Sequence, residues 1–321
     1  MAKPSLLYYR ILDWRPDNVS LADKGFDVVE LDDPDADTDT ILAAVDLCCA
    51  PLGYQFDDAK MGRCANLRAV ISNTTGVSHI DTDAAKKRGI EVLSLFGERP
   101  FLDQITPTSE HAWGLLIALA RRMPWCFEAV KKGHWNRFDW GSPSMLSRLS
   151  LGIVGFGRLG QQVARYGQAF GMAVRFYDPY VDGQGTGIER VETLEDLAAA
   201  SDIVSLHPTL NAETTHMIGS GIIALLKPGS YLVNTARGEV VDESAVISAL
   251  ESGHLGGYAA DVLAGEFDPA FDAGAHPLVQ YATQSEKVLL TPHIGGSTFD
   301  AWYETERRVI EKALEFLGRR R

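Results

Sequence analysis

The run Leu151-Gly152-Ile153-Val154-Gly155-Phe156-Gly157-Arg158-Leu159-Gly160 constrains the fold more than any other part of the chain. An apolar stretch of strand length passes through a glycine-rich turn into a segment with helical spacing. Gly155 suits the tight turn, Gly157 lets an anionic ligand approach the backbone, and Gly160 allows a helix to pack closely on a strand. Arg158 and Leu159 open the helix, whose first-turn N–H groups attract negative charge. Leu159, Val163, Ala164 and Phe170 fall on one side of it, as a helix covering a sheet requires.

The same strand–helix rhythm extends over nearly the whole sequence. Strand candidates are Ser5–Tyr9, Asp27–Leu31, 46–49, 67–72 and 90–95, then Ser150–Val154, Ala173–Tyr177, Ile203–Leu206, Ser230–Asn234, 257–262 and 287–290. Helix candidates include 109–122, 159–170, 193–200, 221–226 and 243–252. A further one runs from an N-cap at Asp81 to a stop at Gly89. Residues 125–140 read as a Trp-rich irregular stretch, and the acidic run 31–37 as a solvated loop. Alternation at this spacing predicts an α/β fold with doubly wound parallel sheets. With 321 residues the chain is long for one core and comfortable for two.

Composition excludes several roles. Lys+Arg number 30 against 43 Asp+Glu, a formal net charge of −13, so the surface on average repels a phosphate backbone and no nucleic acid partner is expected. The basic end 318–321 reads as a frayed terminus. Met1-Ala2-Lys3-Pro4 does not resemble a secretory leader. No apolar run reaches the ~18–20 residues of a membrane span, and the apolar residues 112–120 stop at Arg121-Arg122 and read as a buried packing helix. Cys48, Cys49, Cys64 and Cys126 lack metal-ligand spacing, so no metal is expected. They read as core thiols in a reducing compartment, which places the chain in the cytoplasm.

The glycine run has the acid that a dinucleotide site needs. Asp178 follows the next strand candidate, 18 residues after Gly160. A carboxylate there accepts from ribose hydroxyls and repels a 2′-phosphate, which favours NAD over NADP.

Three further strand ends carry reactive side chains. Leu232-Val233-Asn234-Thr235-Ala236-Arg237 places an arginine after one strand. Residues 259–266 place Asp261 and Glu266 after the next, and Leu290-Thr291-Pro292-His293 places a histidine after the last. Ligands of open α/β sheets lie outside the carboxyl ends of the strands, so these side chains are expected on one rim with the glycine run. A guanidinium binds a carboxylate and polarises the neighbouring carbonyl. A histidine passes a proton to or from the oxygen, and a nearby carboxylate orients the imidazole and favours its charged form. Arg237, Glu266 and His293 thus suit hydride chemistry on a 2-oxo acid. Read singly, each also has a structural explanation: a surface ion pair, a loop charge and a capping residue.

Over residues 65–315 the chain resembles the D-2-hydroxyacid dehydrogenases, through residues 155–160, 234–242, 253–266 and 291–298. The resemblance implies that Arg237 binds substrate, His293 is the acid/base and Glu266 is its partner. It implies NAD contacts at Gly155, Gly157, Arg158, Leu159, Gly160, Asp178, His207, Pro208, Thr209, Thr214, Thr235, Ala236, Asp261, Gly295 and Gly296. It implies a substrate loop of Asn73, Thr74, Thr75, Gly76 and Val77, acting with Arg237 and His293. A Rossmann-like NAD domain, 102–295, would be inserted into a flavodoxin-like substrate domain, 1–101 plus 296–321. The aromatic stretch 123–150 would be a homodimer arm, and Gly295-Gly296 is suited to a hinge.

The chain departs from the family at Thr209 and Phe267, where prolines are usual, and in longer segments at 96–108 and 266–293. Such segments near a cleft govern substrate choice. Glu266 differs from the glutamine of the related formate dehydrogenases, and no lysine stands near Thr75 as in phosphite dehydrogenases. An NAD-sensing protein with little turnover, like the corepressors of this fold, is the alternative reading.

Overall fold

The computed structural model describes residues 3–141 and 144–318. Residues 319–321 of the end expected to fray and Met1-Ala2 lie outside the described residues, as do Ser142 and Pro143 within the aromatic stretch. The chain forms two compact units, one of Met1–Ile105 with Ser297–Arg321, the other of Thr106–Gly296.

In the first unit five strands run β1 (Ser5–Tyr9), β2 (Asp27–Leu31), β3 (Leu47–Cys49), β4 (Ala69–Ile71) and β5 (Glu91–Leu93). Their spatial order is β2-β1-β3-β4-β5 and every pairing is parallel. Leu6, Leu7, Leu47, Val70 and Ile71 form the centre of the core. The last helix, Phe299–Gly318, closes it with Val309, Ile310 and Ala313. The short helix Arg99–Leu102 belongs here too, because Leu102 is buried in the same core.

The helices Pro16–Gly25, Asp39–Ala44 and Asp58–Arg63 of this unit were not among the sequence candidates. Each buries only one or two residues, Asn18 and Ala22, Leu42, and Met61 respectively. That is too few to imprint a helical period. The acidic run is also corrected. Asp37 is nearly inaccessible, 2.7 Å from Lys60 Nζ, and accepts from the Tyr9 hydroxyl at 2.8 Å. Asp32, Asp35 and Ala36 are exposed, but Leu31 ends β2 against the core and Asp37 anchors the far end of the run.

The second unit holds β6 (Ser150–Val154), β7 (Ala173–Tyr177), β8 (Glu189–Arg190), β9 (Ile203–Leu206), β10 (Ser230–Asn234), β11 (Leu255–Ala260) and β12 (Val288–Leu290). The order is β12-β11-β10-β9-β6-β7-β8, again all parallel. The chain moves outward one way from β6 to β8, then restarts at β9 on the other side of β6. That reversal is the switch point where open α/β sheets bind ligands. Helices Pro107–Ala120 and Arg158–Ala169 pack on one face, through Leu115, Leu116, Val163 and Ala164. Leu194–Ala200, Ser220–Leu225 and Glu243–Glu251 supply Leu197, Ile223, Val246 and Leu250 to a second core cluster.

The stretch read as irregular contains a helix, Met123–Lys131. Arg122 takes a left-handed conformation (φ 53°), which reverses the chain, and Pro124 in the first turn restarts the helix. Beyond it Trp135 and Phe138 are almost fully exposed. Among the described residues no helix is long and apolar enough to cross a membrane.

Candidate active site

Each functional segment of the second unit leaves the carboxyl end of a parallel strand, so all emerge on one rim. After β6 the glycine turn is fixed by backbone contacts. Gly155 has φ +82°, and a Cβ there would sit 2.7 Å from Pro208 N and 2.8 Å from the His207 carbonyl carbon. A Cβ on Gly160 would collide with the Gly155 carbonyl oxygen. Gly157, by contrast, faces open space and caps helix Arg158–Ala169 without any side-chain hydrogen bond. A bare helix N-terminus beside open space fits a pyrophosphate.

Asp178, at the end of β7, is nearly buried. Its Oδ2 accepts from the Phe156 N–H inside the glycine turn at 2.7 Å, and its Oδ1 accepts from the Tyr180 and Val181 N–H groups. The carboxylate thus holds the glycine turn in place. These features together fit NAD, which residues 155–160 and Asp178 would hold.

After β9, His207 pairs with Ser205 Oγ at 2.9 Å, and burial lowers its pKa to about 4. It is therefore neutral over the working range. Thr214 donates to the Thr209 carbonyl at 2.7 Å and accepts from the Asn211 N–H at 2.8 Å. Its hydroxyl shapes the 209–215 turn.

After β10, Thr235 and Ala236 are buried and Arg237 is half-buried. Asn234 shapes this turn: its Oδ1 accepts from the Ala236 N–H and its Nδ2 donates to the Arg237 carbonyl. Arg237 Nη1 donates to the Ala236 carbonyl at 2.6 Å. Burial lowers the guanidinium's pKa, opposed by attraction to Glu266 and then Glu239. Among the described residues it forms no ion pair, which leaves its charge available to a ligand. Gly238 explains why Arg237 lies near the next segment. A Cβ there would collide with the backbone of Leu263 and Ala264, so two main chains are in direct contact.

Past β11, Asp261 is buried and organises the histidine turn. Its Oδ1 accepts from Thr291 Oγ1 at 2.6 Å and from the Ile294 N–H at 2.9 Å, and its Oδ2 accepts from the Gly295 N–H at 2.6 Å. Its carbonyl accepts from the His293 N–H at 2.9 Å. Thr291 gives its proton to Asp261, so it accepts from His111 Nε2 at 2.8 Å. Burial pushes the Asp261 carboxyl up, but the bonds from His111, Thr291, Gly295 and Ile294 outweigh it and hold it below its ordinary range. His293 sits in this cage with φ 53°, and its Nδ1 lies 2.8 Å from Glu266 Oε1. The Phe267 ring stands 5.6 Å from the imidazole, centre to centre.

The structure therefore brings Glu266 and His293 into contact, with Arg237 in electrostatic reach of Glu266. Asn234, His111 and Thr291 were not among the sequence candidates. The 73–77 loop belongs to the first unit, after β4. Thr74 Oγ1 donates to the Gly76 carbonyl at 2.7 Å, while Thr75 and Gly76 are exposed. A cavity of about 490 Å³ lies elsewhere in the second unit, lined by Ile117, Arg121, Met145, Leu146 and Phe170. It is remote from the reactive side chains.

A family model for the D-isomer specific 2-hydroxyacid dehydrogenase NAD binding domain matches residues 113–295. The D-3-phosphoglycerate dehydrogenase of Bacillus subtilis (strain 168) is 32% identical over 286 residues, covering 88% of this chain and 51% of that protein. The hydroxypyruvate reductase of Thermotoga maritima is 34% identical over 253 residues, covering 79% of this chain and 78% of that one. Among solved structures, a D-lactate dehydrogenase from Aquifex aeolicus complexed with NAD and lactic acid superimposes with a TM-score of 0.83. It is 26% identical, and the match covers 98% of this chain and 95% of that one. The chain spans about half the length of the phosphoglycerate dehydrogenases it matches.

Proposed function

The chain belongs to the D-isomer specific 2-hydroxyacid dehydrogenase family, and on that premise we propose that it interconverts a small 2-oxo acid and the corresponding D-2-hydroxy acid. NAD, when bound, supplies or takes the hydride. Residues 155–160 hold its pyrophosphate and Asp178 its ribose, while Thr235, Ala236, Asp261, Gly295 and Gly296 border the nicotinamide end. Arg237 binds the substrate carboxylate and polarises the adjacent carbonyl. In reduction His293 gives the proton on Nε2 to the carbonyl oxygen, and in oxidation it takes that proton back. Glu266 keeps Nδ1 engaged, so that Nε2 is the nitrogen that faces substrate. The loop 73–77 supplies backbone N–H groups to the substrate carboxylate.

The observation that carries this reading is the 2.8 Å contact between His293 Nδ1 and Glu266 Oε1 on the rim that also bears the glycine turn. The exposed Phe127, Trp135 and Phe138 support a homodimer built through residues 123–150. The unpaired cysteines, three of them buried, support a reducing cytoplasm.

The test is NADH oxidation with a panel of pyruvate, glyoxylate, hydroxypyruvate, phenylpyruvate and phosphorylated 2-oxo acids. Turnover of at least one is expected. Tight NADH binding with no turnover of any would overturn the reading in favour of an NAD sensor. Light scattering checks the dimer, and a stable monomer would exclude it.

A further inference from the structure

The turn that carries Glu266 is held from behind by two other carboxylates. Glu239 Oε1 accepts from the Gly265 N–H at 3.0 Å, and Glu243 Oε1 accepts from the Ala264 N–H at 3.0 Å. The second oxygen of Glu243 lies 3.1 Å from His276 Nε2, and both side chains are almost inaccessible. His276 lies within the longer segment 266–293. Its ring packs against Phe271, 5.8 Å centre to centre, and it precedes helix Pro277–Ala282.

The hydrogen-bond direction at this pair follows from the other ring nitrogen. Among the described residues His276 Nδ1 is buried without a partner. A buried bare nitrogen is less costly than a buried N–H that finds no acceptor. The proton therefore sits on Nε2 and is donated to Glu243. Burial raises the Glu243 carboxyl, the Ala264 N–H and His276 lower it, and Glu239 and Glu266 raise it further. Three carboxylates thus surround one turn. Without a donor on Glu243, their mutual repulsion would favour a protonated Glu243, which accepts less well from Ala264.

We propose that His276 is a positioning residue for the hydride-transfer chemistry: through Glu243 it holds the Ala264 turn and so sets the Glu266 carboxylate against His293. Two histidine–carboxylate pairs then stand in series, the outer one fixing the geometry of the inner one. This inference rests on the reading of Glu266 and His293 as the proton-handling pair.

The experiment is a double-mutant cycle on the full chain, with steady-state kinetics on whichever 2-oxo acid of the panel is turned over. His276→Leu is expected to lower kcat roughly tenfold, within the range for coupled neighbours, while KM for NADH is unchanged. His276→Gln, whose amide can donate to Glu243 in the same way, recovers most of the loss. In a Glu266→Gln background His276→Leu has no further effect, because its route to the reaction is already cut. Equal losses in both backgrounds, or no loss in the native background while Glu266→Gln is impaired, would overturn the inference alone. A Glu266→Gln enzyme as active as the native one would overturn the reading of the site, and the inference with it. If His276→Leu fails to fold, Glu243→Gln is read the same way, since it keeps an acceptor for Ala264 but none for His276.

Discussion

Glu266 Oε1 lies 2.8 Å from Nδ1 of His293, a histidine whose own backbone is left-handed at φ 53°. That conformation costs about 1–3 kcal/mol for a residue with a side chain. The Asp261 carbonyl and carboxylate offset it by bonding the N–H groups of His293, Ile294 and Gly295. The strain aims the imidazole, and the carboxylate selects which nitrogen is free.

Replacement of His293 by Asn is expected to lower kcat by roughly 10²–10⁴-fold, the usual worth of a general acid, with NADH affinity little changed. Glu266→Gln should lower kcat with NADH affinity little changed, since an amide can turn its N–H toward Nδ1 and so no longer fixes which imidazole nitrogen carries the proton. His207 cannot stand in as the acid, because it stays neutral down to about pH 4. A Glu266→Gln enzyme with native kcat would break the pairing.

Arg237 presents a half-buried guanidinium with no competing ion pair among the described residues. Arg237→Lys should raise KM for the 2-oxo acid and also reduce kcat, because an ammonium cannot form the planar two-point contact. Unchanged KM would place the substrate carboxylate elsewhere.

Asp178 should make NADH strongly preferred over NADPH, since a 2′-phosphate would meet its carboxylate. Asp178→Ser should relax that preference. It should also raise KM for NADH, because the Phe156 N–H loses the acceptor that fixes the glycine turn. Equal kcat/KM for both cofactors in the native enzyme would refute the assignment.

Acid stability follows from Asp202, which ties the start of β6 to the loop before β10. Burial raises its carboxyl, but bonds from the Ser150 hydroxyl and N–H and from Lys227 outweigh this and hold it below its ordinary range. A depressed folded pKa gives stability that is complete above the unfolded value, near ~4, and is lost as pH falls through the folded one. Asp202→Asn should therefore lower stability at neutral pH by about 1–3 kcal/mol, with a smaller difference in thermal unfolding at acid pH. A constant difference between the two proteins at every pH would contradict this.

Strands were legible from short, largely apolar or β-branched runs. Ser5–Tyr9, Ser150–Val154 and Ile203–Leu206, buried almost throughout, and the more exposed Asp27–Leu31 and Ala173–Tyr177 all keep the bounds the sequence predicts. Helices such as Asp39–Ala44 were not, because one buried leucine makes no pattern. Within the site, Arg237, Glu266 and His293 announced themselves by standing just past strand ends. Their supports did not. His111 meets Thr291 across 180 residues of sequence, and Glu243 meets His276 only because a long loop doubles back. Such contacts have no local signature, and nothing short of the folded chain reveals them.

The direct apposition of main chains at Gly238 has a consequence for how this protein can change. The spacing between the arginine turn and the glutamate turn is set by backbone touching backbone, with no side chain interposed. A change of length in residues 267–275 therefore leaves that spacing untouched, although Phe267 beside His293 and Phe271 against His276 keep their own contacts to preserve. Glycine at position 238 makes the separation of the two turns independent of the loop that follows them.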